Sequence, residues 1–170
     1  MRGGNVHHFF LGGYNMLDFY EIDSNYLNFL RTIDSKIPNL SSTPHDKFVC
    51  GIVLIKNGFK YFVPLSSFNR QQKTNFVIKD AGRPIASLRF CFMFPVLDGL
   101  FTIKVIRNEM DLNYRRLLNK EFNYCRLHEP EILSDADRVY DQVVNIKNND
   151  YVVNCCDFLK LEIAASQYVI

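Results

Sequence analysis

Two adjacent hydroxyls, an amide and a guanidinium follow one another in the stretch "YFVPLSSFNR", at positions 61–70. They belong to Ser66, Ser67, Asn69 and Arg70. Hydroxyls and backbone N–H groups that leave the end of a strand can converge on phosphate oxygens, and an arginine can bind a phosphate through two parallel hydrogen bonds. The pattern is therefore typical of a phosphate site. The alternative is an ordinary strand-ending turn, because Ser and Asn also favour turns.

RNA strand scission is one reaction that this set of groups could carry out without a metal ion. In that reaction a 2′-hydroxyl attacks the adjacent phosphate, so the protein must hold an in-line geometry and stabilise the charge that develops on the phosphorane oxygens. We expect Ser66 and Ser67 to hold the phosphate and Arg70 or Lys73 to supply the positive charge. His45, in a loop before a strand, is a weaker candidate for acid or base chemistry.

Charge is unevenly distributed along the chain. Residues 1–59 carry five basic and five acidic side chains, residues 60–126 carry twelve and five, and residues 127–170 carry three and eight. The middle segment is therefore +7 and the last −5, as expected of a polyanion-binding surface beside an acidic segment. The alternative is charge that is simply scattered over a solvated surface. The basic residues that we expect to bind RNA in the middle segment are Lys60, Lys73, Lys79, Arg83, Arg115, Arg116 and Lys120.

The five cysteines form no C-x-x-C pair and have no histidine at a zinc-ligand spacing. We expect buried free thiols in a reducing cytoplasm and no metal site. The sequence also lacks the glycine-rich phosphate and dinucleotide motifs and the G-x-S-x-G elbow, and we expect no cofactor. Residues 1–15 are too polar for a signal peptide or a membrane span, and we expect them to be an N-terminal arm or an added extension before a single domain at 16–170.

Fifteen Phe and nine Tyr, with no Trp, favour a mixed α and β protein. A strand is predicted over 17–23 and a helix from Ser24 that ends at Pro38. Asn57-Gly58 predicts a hairpin between strands at 48–56 and 60–63, with Pro64 ending the second strand.

Further along, the run at 85–96 predicts one buried strand, and another strand follows the turn at Asp98-Gly99. Apolar residues at helical spacing predict a helix from Asp111 to Cys125, a second from about Ser134 to Val144 and a third over 157–166. Asn148-Asn149-Asp150 is predicted to separate the last two helices.

Five stretches, taken in order, resemble one family. They are "FYEIDSNYLNFLRTIDSKIPN", "GIVL" followed by "NGFKYFVPLSS", then "FMFPV", "NYRRLLNKEFNYCR" and "CDFLKLE". Together they resemble the type III toxin-antitoxin endoribonucleases, the ToxN, AbiQ and CptN group, over residues 16–165. The resemblance implies an α+β fold in which several helices pack on a compact, strongly bent antiparallel sheet, like the barrel of the Kid and MazF toxins.

The same resemblance implies a metal-independent endoribonuclease that cleaves cellular or phage transcripts and its own repeated antitoxin RNA, and leaves a 2′,3′-cyclic phosphate. It also implies inhibition by the processed RNA pseudoknot, with protein and RNA alternating in a closed ring in the cytoplasm. Tyr26 resembles a tyrosine near the family's cleft, and Lys36 a basic residue of a D-x-K-[VI]-P-N stretch. Both are therefore expected to face RNA.

The sequence departs from the family at the active-site motif that the resemblance implies. The family motif resembles P-L-[TS]-S-P-K, and here Phe68 stands in place of the proline and Asn69 in place of the lysine. Asparagine donates hydrogen bonds but carries no charge, so Arg70 or Lys73 would have to supply it. The alternative is a catalytically disabled protein that still binds RNA. A protein-interaction module with incidental basic charge is a third hypothesis.

Overall fold

The structure is a computed structural model that describes residues 17–41, 45 and 47–170. The arm predicted at residues 1–15 lies outside the described residues. The fold is α+β, as expected, with seven strands and five α-helices in the described part of the chain. The strands are β1 Asp18–Ile22, β2 Val49–Lys56, β3 Phe59–Ser66, β4 Asn75–Asp80, β5 Arg83–Arg89, β6 Phe94–Val96 and β7 Phe101–Ile103. The helices are α1 Ser24–Ile33, α2 Leu112–Leu127, α3 Glu129–Val144, α4 Asn149–Asn154 and α5 Phe158–Gln167, and short 3₁₀ turns cover Phe90–Phe92 and Ile106–Asn108.

All strand pairs of the sheet are antiparallel, in the order β4-β5-β3-β2-β1-β7, and β6 pairs with β3 beside this path. The two outer strands, β4 and β7, do not pair with each other within the described residues. The sheet is therefore open, and the closed barrel that the resemblance implied is not confirmed.

The predicted hairpin is confirmed, because β2 and β3 are joined by Asn57 and Gly58 with φ of 52° and 80°. Positive φ at both positions matches the twist of the flanking strands. The prediction that Pro64 ends the second strand is wrong, since β3 continues to Ser66. The N–H of Leu65 bonds to Phe48 beside β2, so the nitrogen of Pro64 faces the opposite edge, between the parts of β3 that pair with β6 and with β5. A missing donor is tolerated there.

The single buried strand predicted over 85–96 is also wrong. This segment contains the end of β5, the turn at Phe90–Phe92 and β6. Both β5 and β6 pair with β3, at Leu65–Ser66 and at Lys60–Phe62 respectively. The chain must therefore turn between two pairings on the same strand, and an apolar pattern alone does not show this.

The four predicted helices are present, with different boundaries. The helix predicted from Ser24 ends at Ile33 rather than at Pro38. The helix predicted from about Ser134 begins at Glu129, since Pro130 lies in its first turn, where its missing N–H costs nothing. Residues 149–154 form α4 instead of a simple separator, because the side chain of Asn148 accepts a hydrogen bond from Asp150 N and caps a short helix.

The core joins the sheet to the helices through aromatic side chains. Phe19 of β1 packs edge-on against Phe122 of α2, with ring centroids 5.4 Å apart. Glu162 of α5 is 6% exposed and accepts hydrogen bonds from Tyr61 at 2.7 Å and Tyr140 at 2.8 Å. Asn57 donates to the same carboxylate at 2.9 Å, which ties the hairpin turn to the helices. Burial, together with the adjacent carboxylate, raises the pKa of both tyrosines.

All five cysteines are buried and free, as predicted. In the described part of the chain no helix has both the length and the hydropathy needed to cross a bilayer.

Gly51 lies opposite Phe62 in the sheet, and this generates a first prediction. A Cβ at position 51 would lie 2.7 Å from Cε1 of the fully buried Phe62 ring and closer still to Cδ1. We expect Gly51→Ala to lower the free energy of unfolding by about 1–3 kcal/mol, as overpacking does. Urea unfolding measures this. The double variant Gly51→Ala/Phe62→Leu should recover part of the loss, and an unchanged Gly51→Ala midpoint would contradict the packing described.

Glu121 of α2 generates a prediction about pH. Its side chain is 4% exposed, and burial raises its pKa from 4.5 to about 7. The folded state thus prefers the neutral carboxyl of Glu121. The stability that the folded protein gains from this preference is fully present below pH 4.5 and is lost as the pH rises through about 7. We expect Glu121→Gln to unfold like the wild type at pH 4 but to be more stable at pH 8, by about 3 kcal/mol. Parallel stability profiles for the two proteins would refute this.

Candidate active site

The end of β3 presents Ser66 on a polar face of the sheet. Ser66 pairs with Ser87 of β5, so their side chains lie on the same face. Alternation along β5 places Arg89 on that face too, whereas Leu65 and Leu88 lie on the other face, where Leu88 is fully buried. A hydroxyl pair with an arginine one row away therefore lies where the chain leaves β3.

Hydrogen bonds fix the start of the following loop on this polar face. Ser66 Oγ accepts from Phe68 N at 3.1 Å, and Ser87 Oγ donates to Phe68 O. Asn69 Nδ2 donates to the backbone oxygen of Pro84, 3.3 Å away at the start of β5. The acceptor role of Ser66 Oγ leaves its O–H available as a donor.

The buried side chain of Asn75, only 2% exposed, forms hydrogen bonds with the rest of the loop. Its Nδ2 donates to Arg70 O at 2.8 Å, and its Oδ1 accepts from Gln72 N at 2.8 Å and Gln71 Nε2 at 3.2 Å. From α3, Arg138 Nη2 adds a bond to Lys73 O at 3.0 Å. The backbone of the loop is thus held in place while its polar side chains remain outside.

The predicted site residues are brought together at this loop. Ser67, Asn69, Arg70 and Lys73 are all exposed there. Within the described part of the chain, Arg70 and Lys73 form no ion pair with a carboxylate, so both charges are available to an anion. The β4–β5 turn adds two exposed cations, because Lys79 pairs with Pro84 and Arg83 precedes it.

Other basic residues from the sequence prediction lie elsewhere or have partners. Lys60 forms an ion pair with Asp98 and Lys120 with Asp80, at 2.7 and 2.6 Å. Such exposed pairs are weak, so they reduce but do not remove the attraction for RNA.

On α2, Arg116 is exposed and Arg115 donates to Arg107 O at 3.3 Å. Lys36 is exposed, and its ammonium donates to Cys155 O at 2.8 Å, at the end of α4.

Tyr26 does not face RNA, which corrects the expectation from the resemblance. Its side chain is fully buried, and its hydroxyl donates to Pro95 O at 2.7 Å. The helical spacing places it on the inner face of α1 with Leu27 and Leu30. His45 has partners within the protein as well. Its ring stacks on that of Tyr114, with centroids 3.9 Å apart, and its Nε2 lies 3.4 Å from Oδ2 of Asp111.

The structure adds two cations that the sequence interpretation missed. Arg89 lies on the polar face described above. Val49 pairs with Pro64, and Leu65 N bonds to Phe48 O at 3.3 Å. Extending this register by one residue places the exposed Lys47 opposite Ser66. Counting outward from the Asn57-Gly58 turn would pair Lys47 with position 68 instead, but the register shifts between Gly51 and Leu54. Only the shifted register brings the lysine beside the serine.

Most of the chain matches the model of one protein family. The family model described as "Toxin ToxN, type III toxin-antitoxin system" matches residues 18–166. The chain belongs to this family. The resemblance inferred from the sequence is therefore confirmed.

Three endoribonucleases align with this chain over most of their own length. It is 27% identical to the endoribonuclease ToxN of Pectobacterium atrosepticum, over 86% of this chain and 90% of the relative. It is 27% identical to the endoribonuclease AbiQ of Lactococcus lactis subsp. lactis, with 89% of each covered. The endoribonuclease ToxN of Bacillus thuringiensis subsp. kurstaki is 29% identical over 88% of this chain and 83% of that protein.

Solved structures of ToxN-like toxins share the fold. One, described as "selective toxin inhibition by a non-coding RNA pseudoknot", has a TM-score of 0.83 and 26% identity, and covers 91% of this chain and 98% of that chain. A second, of AbiQ, "a lactococcal anti-phage endoribonuclease", has a TM-score of 0.81 at 24% identity, with 90% and 98% covered, and shows the similarity of fold alone.

The buried amide of Asn75 generates a prediction for the loop of this ToxN-family chain. We expect Asn75→Ala to lower the free energy of unfolding by about 2–3 kcal/mol, because it leaves loop groups without partners. It should also speed hydrogen exchange at Gln72, whose N–H loses its acceptor. Asn69→Ala, at an exposed position, is the control and should change stability by less than about 0.5 kcal/mol. Equal effects of the two variants would contradict the anchoring role.

Proposed function

We propose that this chain is the RNA-cleaving toxin of a type III toxin-antitoxin system and that the loop after β3 is its active site. The single observation that carries this is the paired placement of Ser66 and Ser67 at the end of β3, among exposed cations, in a chain of the ToxN family. The relatives named endoribonuclease support the reaction class.

The reaction is an internal transfer at one phosphodiester. The 2′-oxygen forms a bond to the adjacent phosphorus, and the bond from phosphorus to the 5′-oxygen breaks. The 2′-hydroxyl loses its proton and the leaving 5′-oxygen gains one, so the products carry a 2′,3′-cyclic phosphate and a 5′-hydroxyl. We propose that the protein contributes orientation and charge, without a metal ion or cofactor.

The residues of the loop have separate tasks in this proposal. Ser66 and Ser67 donate hydrogen bonds to the non-bridging oxygens of the scissile phosphate. Arg70, Lys73 and Lys47 provide positive charge around it, and all three side chains are exposed. Lys79 and Arg83, at the neighbouring turn, bind phosphates further along the strand. Because the loop backbone is already fixed, little ordering is needed when RNA binds.

The antitoxin in this proposal is an RNA. A related toxin of 26% identity is described as selectively inhibited by a non-coding RNA pseudoknot. We propose that this chain processes a repeated precursor into such a pseudoknot, is inhibited by it in a closed protein–RNA ring, and otherwise cleaves cellular or phage transcripts in the cytoplasm. We also propose that the sheet is related to that of the Kid and MazF toxins. The pairing of β3 first with β6 and then with β5 supports this relationship.

A second candidate function is RNA binding without cleavage. It is favoured by Asn69, which is uncharged and whose amide already donates to Pro84 O. The two functions are separated by incubating the protein with repeat-containing RNA and assaying for cyclic-phosphate ends. Intact RNA that is retained by the protein would select the second candidate.

The roles of the loop residues generate a prediction about cleavage. We expect Arg70→Ala to abolish cleavage of a repeat-containing RNA, and Ser67→Ala to slow single-turnover cleavage by about 10²–10³-fold, as for one lost donor in a charge-stabilising site. Lys160→Ala, a change of exposed charge on α5, is the control and should cleave normally. Cleavage that survives both Arg70→Ala and Lys73→Ala would show that these two residues are not the cations of the site.

A further inference from the structure

Arg89, at the end of β5, has surroundings unlike those of the other cations near the loop. Its guanidinium carbon lies 4.5 Å from the ring centroid of Phe68 and 4.8 Å from that of Phe92. Nη2 is 3.5 Å from Gln72 Oε1, a long contact. The side chain is half-buried rather than extended into solvent. Two aromatic rings therefore fix the orientation of the guanidinium plane before any ligand arrives.

The charge of Arg89 has no compensating anion in the described part of the chain, where no carboxylate lies within ion-pair distance of it. Its Nε is buried and has no hydrogen-bond partner, and no other buried side-chain nitrogen or oxygen of the described residues is in this state. The thiol of Cys91 lies beside the guanidinium, but burial raises the pKa of that thiol, so it is not a compensating anion. A buried donor without a partner is costly, so natural proteins seldom retain one without a use. An anion that reaches this guanidinium would remove the deficit in charge.

The position of Arg89 connects it to the proposed site. Its side chain shares the face of Ser66 and Ser87, and both serines bond to the backbone of Phe68, the residue whose ring covers the guanidinium. The loop that contains Ser67 therefore packs against the guanidinium of Arg89 through the ring of Phe68. Asn69, one residue beyond Phe68, carries no charge and points its amide at Pro84 O.

We propose that Arg89 binds the scissile phosphate of the RNA and supplies the positive charge that position 69 lacks. The inference rests on the proposed function and deepens it by assigning a phosphate-binding residue that does not belong to the loop. Phe68 and Phe92 position this residue. The fork of the guanidinium donates to the non-bridging oxygens opposite Ser66 and Ser67, so the phosphate lies between hydroxyl donors and the cation.

The test compares four proteins and one control variant in single-turnover cleavage of a repeat-containing RNA. They are the wild type, Arg89→Gln, Arg89→Lys and the double variant Arg89→Gln/Asn69→Lys. We expect Arg89→Gln to lower the cleavage rate by about 10²–10³-fold. Arg89→Lys should retain part of the rate, because it keeps the charge but loses the fork. The double variant should recover at least about tenfold over Arg89→Gln, because it returns a cation to the loop. Arg107→Gln is the matched control, an exposed arginine outside the site.

Readouts other than rate separate binding from folding. Urea unfolding shows whether Arg89→Gln is folded under assay conditions. Most of the loss should lie in the rate at saturating protein, with a smaller rise in the half-saturating concentration because one phosphate contact is lost. Arg89→Gln that cleaves within about threefold of the wild type overturns the proposal. So does a folded Arg89→Gln whose loss is recovered neither in the double variant nor in Arg89→Lys, because that pattern indicates a purely structural role.

Failure of the proposed function is recognised separately, in the wild type itself. If wild-type protein binds the RNA but generates no cyclic-phosphate ends, cleavage is excluded, and the arginine is then tested by binding alone. In that case the slope of log affinity against log salt should fall by about one in Arg89→Gln, as for one lost phosphate contact. An unchanged slope would exclude Arg89 as a phosphate ligand.

Discussion

The pairing of β3 with three neighbours is the constraint on which the rest of the structure depends. Along one edge β3 pairs with β2, and along the other it pairs first with β6 and then with β5. The change of partner falls at Pro64, where a missing N–H is tolerated, and Ser66 follows two residues later. The candidate site thus lies where the two parts of the sheet are joined, and it is fixed from both sides by strands with buried inner faces.

A rigid loop with exposed polar side chains results from this arrangement. The buried amide of Asn75 and the hydroxyl of Ser87 satisfy the loop backbone, and Phe68 lies on Arg89. The site is therefore supported by a sheet rather than by a mobile segment, and the entropy cost of ordering it was met when the chain folded. Charge-stabilised phosphoryl chemistry benefits from such preorganisation, because donors that are already in place need no rearrangement as charge develops.

Local patterns predicted those parts of the molecule that local interactions determine. Asn57-Gly58 specified the hairpin, and helical spacing located four helices. The serines and Arg70 could be selected because their types and spacing are informative by themselves. Pairing between distant segments was not accessible: the shift near Gly51, which brings Lys47 to Ser66, depends on how β2 fits its neighbours on both sides. Arg89 was not selected because it lies within an apolar stretch of sequence. Tyr26 was expected to face RNA, although its spacing with Leu30 is that of a core residue.

The most direct test of the central claim is a crystal structure of the wild-type protein with RNA that carries a 2′-O-methyl group at the cleavage position, which blocks attack. The account predicts the scissile phosphate within hydrogen-bonding distance of the hydroxyls of Ser66 and Ser67, with the guanidinium of Arg89 on its other side. A complex in which that phosphate binds to another surface, such as the exposed face of α2 around Arg116, with the loop after β3 left in solvent, would contradict the account.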